Sequence, residues 1–272
     1  HMISIGHRVE AQDIASCGWT HTSSSSYMTL SFWAKSVKAG TYCVSINASD
    51  SSSTRIFVKE YTLVANTWKK VEITFPGESG VIVNNDNGIG LNIQWTLQVG
   101  TDRDNATDNT WNSSDTSIGT SNQVNFFDST SNNFFLTGVM LEVGEKASPH
   151  FEHEPFETTL SKCHRYFHRW QADTASDSMC TGCMISDTLF LGDYFLKETM
   201  RQAPSISHVG TFKVRIKAND RACGNPSLNR ATNQNVQMSL TLTADNNENG
   251  FGCFLKASGD DADALVNLDA EL

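Results

Sequence analysis

The feature that most constrains this chain is a two-residue alternation of apolar and polar side chains, which recurs in short runs separated by turn residues. Ile89, Leu91, Ile93, Trp95 and Leu97 alternate with Gly90, Asn92, Gln94 and Thr96, the period of a strand that buries one face. Met28, Leu30, Phe32 and Ala34 do the same, with Trp33 in the opposite phase. Tyr42, Val44 and Ile46 resume the alternation after Lys38-Ala39-Gly40, which predicts a hairpin over residues 30–46. Val71, Ile73 and Phe75 follow the same rule until Pro76-Gly77 stops the run. Strands of this kind must pair and then cover their apolar faces, so the expected fold is mainly β, built on a two-sheet sandwich.

Between Phe134 and Trp170 the pattern changes twice. Residues 134–143 read as a closing core strand, and Gly144, Pro149 and Pro155 then interrupt regular structure. Leu160, Cys163, Phe167 and Trp170 recur at i, i+3, i+7 and i+10, predicting a short helix with Thr158 or Thr159 as its cap. Alternation returns in five later runs, at Phe190 to Leu196, Phe212 to Ile216, Val236 to Leu242, Phe251 to Leu255 and Ala264 to Ala270. The expected organisation is a β-sandwich over residues 3–150, a linker and short helix over 151–170, and a smaller antiparallel β domain over 171–272. A chain of 272 residues is long enough for two separate cores.

Several of these runs carry a resemblance. GVMLEVG, FEHEPF and LSKCHRYF in the junction, RVEAQDI at residues 8–14, LSFWAKS at 30–36, AGTYCVSI at 39–46, ANTWKKVEITFPG at 65–77, GIGLNIQWTL at 88–97 and the terminal ADALVNLDAEL resemble, in order, a family of bacteriophage tail-fibre and virion structural proteins. The resemblance implies a jelly-roll sandwich like that of carbohydrate-binding modules, then a short helix and a C-terminal β domain. It further implies a virion component made in the host bacterial cytoplasm, assembled as a homotrimer with upstream fibre or baseplate proteins, and attaching to a host cell-surface glycan or receptor. A carbohydrate-binding module of a larger carbohydrate-active enzyme is the alternative. The matching motifs are core and turn residues, so they speak for architecture rather than chemistry.

Charge and motif content narrow the function classes. Thirty acidic against twenty basic residues give a formal charge of −10, which disfavours nucleic acid and anionic membranes as partners. No apolar run approaches the roughly 20 residues that cross a bilayer. Seven cysteines without framework spacing fit a reducing compartment. Cys43, Cys163 and Cys253 sit in apolar phase as small core residues, and Cys180-Thr-Gly-Cys183 reads as a turn with two thiols. No GxSxG, HExxH, Walker or GxGxxG pattern occurs, so the reading is non-enzymatic and without a cofactor. Carboxylate pairs such as Asp102 with Asp104, or Asp260 with Asp261, have no fixed separation to make them a glycosidase pair.

Candidate binding residues lie mainly between Gly100 and Gln123, a stretch rich in Asp, Asn, Ser and Thr that reads as one long loop. Trp111 stands at its centre as a plate for a sugar ring, with Asp102, Asp104 and Asn109 as hydrogen-bonding groups and Trp19 as a second aromatic in polar surroundings. Asp102, Asp104 and Asp108 are also candidate ligands for a structural calcium ion. Trp33, Trp68 and Trp95 fall within core motifs and read as packing. His164 and His168, four residues apart on the expected helix, form a candidate metal pair; histidines on a helix surface fit the same spacing. Loops at residues 218–233 and 245–250 are the candidate host-facing tips. Arg215 and its basic neighbours on the run at 212–217 read as a solvated strand face.

Overall fold

The structure, a computed structural model, describes residues 2–174, 177–244, 249–258 and 263–271. It is mainly β, with several antiparallel sheets and little helix. The chain divides into two compact units, His1–His153 and Glu154–Glu271.

In the first unit the strands are β1 (Met2–Glu10), β2 (Tyr27–Ser36), β3 (Gly40–Ala48), β4 (Ile56–Leu63), β5 (Lys69–Pro76), β6 (Ile89–Val99), β7 (Thr110–Asn112) and β8 (Phe134–Val143). Five of them pair in the order β1-β6-β3-β4-β7, and three in the order β5-β2-β8. The chain passes repeatedly from one sheet to the other, as in a jelly roll. Alternation explains the packing directly: Tyr42, Val44 and Ile46 of β3 and Leu91, Ile93 and Trp95 of β6 point to the inside, where they meet Leu30, Phe32, Val71, Ile73 and Phe75 from the other sheet. Aromatic edges interlock there, with Phe32 against Trp95 at 5.7 Å and 87°. A short helix, α1 (Ala11–Ser16), follows β1, and Ala11 and Ile14 anchor it in the core.

Helix α2 (Phe156–His164) opens the second unit and corrects the expected helix over residues 160–170. It begins directly after Pro155, whose fixed φ suits a helix entry, and neither Thr158 nor Thr159 caps it. Phe167 and Trp170 belong instead to a strand, β9 (Phe167–Gln171). The remaining strands are β10 (Ser178–Met184), β11 (Leu189–Phe195), β12 (Ser205–Val209), β13 (Phe212–Ile216), β14 (Asn219–Ala222), β15 (Ser227–Ala231), β16 (Asn235–Thr241), β17 (Gly252–Ala257) and β18 (Leu265–Asp269). They form a seven-stranded sheet, β14-β13-β17-β10-β11-β16-β15, and a three-stranded one, β12-β18-β9. Phe190, Val214, Met238 and Leu255 of the first close on Val266 and Leu268 of the second.

The second unit is richer in strands than the five runs foretold. The stretch 218–233, expected as a loop, contains β14 and β15 as the two edges of the larger sheet. Cys180 and Cys183 are not in a turn but three residues apart along β10, where i and i+3 face opposite ways. Both are free thiols, and burial pushes Cys180 up to about 12. Cys43 and Cys253 are buried as expected, whereas Cys163 is exposed on α2. On the basic face of β13 Arg215 is paired with Asp220 at 3.4 Å, and the same carboxylate takes the buried Lys256 of β17 at 3.0 Å. Asp260, Asp261 and most of the expected tip at 245–250 lie outside the described residues.

Candidate functional site

Of the residues expected to bind ligand, Asp104, Asp108 and Asn109 are brought to the outer face of the five-stranded sheet, where their contacts are structural. The segment between β6 and β8 folds back across that face. Asn109, at φ +60°, donates its backbone N–H to Val58 O at 2.7 Å. Asp108 uses one carboxylate oxygen on Glu60 N at 2.7 Å and the other on Lys59 Nζ at 2.9 Å. Asp104 and Asn105 make isolated bridges to Ser117 and Thr120. Gln123 exchanges hydrogen bonds with Thr96, and Glu60 accepts from Thr120 and Asn122. Polar composition there serves backbone satisfaction, not mobility.

Trp111 is the main correction. It lies in β7 opposite Phe57, its ring meets Phe57 at 5.7 Å and Phe75 at 6.2 Å, and its indole N–H donates to Pro76 O at 2.9 Å. Trp19 is 4% exposed, packs edge-on against Phe75 and donates to Ser26 O. Trp19 is part of the core, and Trp111 packs half-buried against it rather than standing free in a loop. Asp102 lies beside Arg103, 4.0 Å away. Among the described residues no three His, Cys, Asp or Glu side chains converge as a metal site requires. Asp102, Asp104 and Asp108 therefore offer calcium no joint carboxylate cluster.

What the folded segment leaves open is a cleft of about 580 Å³ at the other end of the same face. Register builds its floor: Asn47 of β3 is paired with Asn92 of β6, and Ser45 with Gln94. All four point away from the core because their neighbours Ile46, Ile93 and Trp95 point into it. Ser51, Ser52, Ser53 and Thr54 from the β3–β4 turn form one wall, and Arg103 and Asp115 from the long segment form the other. Arg103 is held by a 3.3 Å bond to Asp115 O. Neither the Asn47 nor the Asn92 carboxamide has a hydrogen-bond partner among the described residues, while Gln94 receives only a long 3.5 Å contact from Ser45. Two planar amides side by side, each with donors and an acceptor free, match a pair of vicinal hydroxyls. Sequence reading missed them because an Asn on the polar phase of a strand looks like any solvated residue.

A second group that was read differently is Trp33 and Trp68. Trp95 is core, as expected, but Trp33 and Trp68 are each 43% exposed on the outer face of the three-stranded sheet. The out-of-phase position of Trp33 was the available signal.

In the second unit, His164 at the end of α2 and His168 of β9 stack at 4.4 Å with 12° between planes. A ring nitrogen binds a cation in its own ring plane, so two parallel rings cannot aim at one ion. His168 is 3% exposed with Nε2 unpartnered. Burial first, then the neighbouring His164 and Lys197, depress its pKa, against a smaller opposing pull from Glu198. The unfolded chain then takes up the proton before the folded one does. Stability of residues 154–271 should thus fall as pH drops through the ordinary value of 6.5 and level off below the depressed folded value. Urea midpoints at pH 7.5 and 5 check this; His168→Phe should flatten the difference, and an unchanged slope in that variant would refute the assignment.

No protein-family model matches this chain, and no curated protein matches it. Among solved structures, it is similar to the recombinant discoidin II of Dictyostelium discoideum, at 7% identity over 92% of this chain and 76% of that chain, with a TM-score of 0.21.

Proposed function

We propose that this chain is a non-enzymatic glycan-binding protein, and that the cleft floored by Asn47, Asn92 and Gln94 is where the sugar hydroxyls are received. The observation that carries the reading is the pair of unpartnered carboxamides set side by side by strand register, with an arginine and a carboxylate on the facing wall. Such a floor reads hydroxyl pattern; it has no nucleophile and base in hydrogen-bond reach of each other, as acyl or glycosyl transfer by these side chains would need. Each amide lost should remove about 0.5–1.5 kcal/mol, so Asn92→Ala and Asn47→Ala should each weaken binding by roughly two- to tenfold. A glycan array followed by calorimetry on its best ligand tests this. Binding that survives the double variant unchanged puts the sugar elsewhere.

From the sequence resemblance we infer further that this binding would serve host attachment in a phage tail fibre, with copies of the chain assembled as a homotrimer. Helix α2 supports association: it has no buried residue, and Phe156 is 74% exposed. Helices this short are not stable without a partner surface. Light scattering at micromolar concentration should then read three times the chain mass of 30.0 kDa. A clean monomer would favour the second reading, a binding module of a larger carbohydrate-active enzyme.

A further inference from the structure

The outer face of the β5-β2-β8 sheet is divided unequally. At one end, the chain after β8 lies over it: Thr29 donates to Gly144 O at 2.8 Å, Thr74 to Glu145 O at 3.1 Å and Lys70 to Ser148 O at 3.2 Å. Thr29 and Ser31 are thereby buried. The other end holds the aromatic side chains and is left open. Trp33, Trp68, Phe135 and Phe151 are 43–46% exposed. Solvation alone would favour the reverse, with the aromatic half covered and the threonines in water.

The open half is an ordered surface. Lys35 is paired with Phe135 across β2 and β8, and Trp33 with Thr137. Trp68, just before β5, completes the first row. The Lys35 ammonium sits 5.5 Å from the Trp68 centroid and 5.0 Å from that of Phe135, a cation held over two ring faces. Trp33 lies against Gly138, at φ +59°, where a methyl group would come within 3.2 Å of Trp33 Cδ1 and 3.9 Å of Phe151. Neighbouring Lys70 is already paired with Glu72 at 2.9 Å. Lys35 has no carboxylate partner among the described residues, in a chain with an excess of ten acidic groups.

We propose that this tile is a second binding site, distinct from the amide cleft, for an acidic saccharide: the apolar face of a pyranose stacks on Trp33 and Trp68, and its carboxylate or sulfate meets Lys35. Size argues for a small ligand over a protein. Slightly under half of four aromatic side chains, at about 150–250 Å² each, is on the order of 350 Å², against about 800 Å² per partner in a stable interface. Chemistry argues for a sugar, because flat rings beside a cation and the Thr137 hydroxyl suit a ligand with an apolar face, an acid group and hydroxyls together.

The test is a fluorescence titration of the intact chain with short oligogalacturonates and hyaluronan fragments, each compared with its methyl ester. The acid forms should perturb tryptophan emission and bind, the esters several-fold more weakly. Trp33→Ala and Trp68→Ala should each cost about tenfold in affinity. Lys35→Gln should reduce the acid form to the level of the ester and leave the ester itself unchanged, a non-additivity that a merely structural role for Lys35 would not give. Asn92→Ala should leave this binding intact, which separates the proposal from the amide cleft. If Trp33→Ala fails to fold, Lys35→Gln and the ester comparison carry the test. The proposal is overturned if none of the acidic fragments binds, if acid and ester bind alike, or if Trp33→Ala abolishes a concentration-dependent increase in mass instead of saccharide binding, which would make the tile a contact between copies.

Discussion

Trp111→Ala should lower the stability of residues 1–153 by about 3 kcal/mol, near the low end for deleting a large aromatic, and leave the affinity of the amide cleft unchanged. The ring closes one edge of the core over Phe57 and Phe75, and its indole N–H satisfies Pro76 O. Alanine removes the packing and leaves that carbonyl without its donor, and the two losses add. The indole is partly exposed, which keeps the expected loss below that of a fully buried tryptophan. Denaturant titration gives the stability and calorimetry the binding. A variant that melts like the parent yet fails to bind sugar would restore Trp111 as a stacking plate. Trp111→Phe separates the effects further, since it retains most of the packing and loses only the hydrogen bond.

This case shows where sequence stops being informative. A run such as Ile89 to Val99 is long enough for alternation to declare both its strand and its buried face, and Trp95 falls where the pattern puts it. Three residues, Thr110 to Asn112, have no measurable period, so β7 disappears into its polar surroundings and its tryptophan looks like a loop feature. The edge strands β14 and β15, NDRA and SLNRA, fail for a related reason: an edge strand need not bury a full face, so its composition resembles a loop. Around His164 two periods overlap. Cys163, Phe167 and Trp170 fit a helix by spacing, yet β9 buries His168 and faces Trp170 toward the core beside it in strand alternation. Five residues are too few for one pattern to outweigh the other.

The candidate sites were harder still to read, because each depends on register between distant strands. Asn47 and Asn92 become neighbours only when β3 pairs with β6, and Lys35 comes between Trp68 and Phe135 only when β2 has both its partners. Trp33 alone announced itself, by standing out of phase. Its placement in a core motif argued for packing, and the phase proved the better guide. A tryptophan on the polar phase of a strand is held outward by the alternation itself, as Trp33 is, whereas the indole of Trp19 or Trp111 is free to fold inward.

Gly182→Ala should have the largest effect in the second unit, about 3 kcal/mol or more. Gly182 of β10 is paired directly with Gly192 of β11. A Cβ at Gly182 would sit 2.0 Å from Leu191 O and 2.6 Å from Gly192 Cα. Both are backbone atoms, so no rotamer change relieves the clash and the two strands must separate. β10 and β11 are central in the seven-stranded sheet, and their separation would expose Phe190 and Met184, both buried in its core. Gly252→Ala on β17 is the matched control, since a methyl there meets nothing within 4 Å. Hydrogen exchange of peptides across residues 178–195 should rise sharply in the first variant and stay at the parent level in the second. Because the two units bury separate cores, exchange within β2, β3 and β6 should remain protected, and sugar binding at the amide cleft should persist. Equal protection of β10 in both variants would mean that the sheet accommodates the methyl group, and that the close approach of Gly182 to Leu191 does not set the register of these strands.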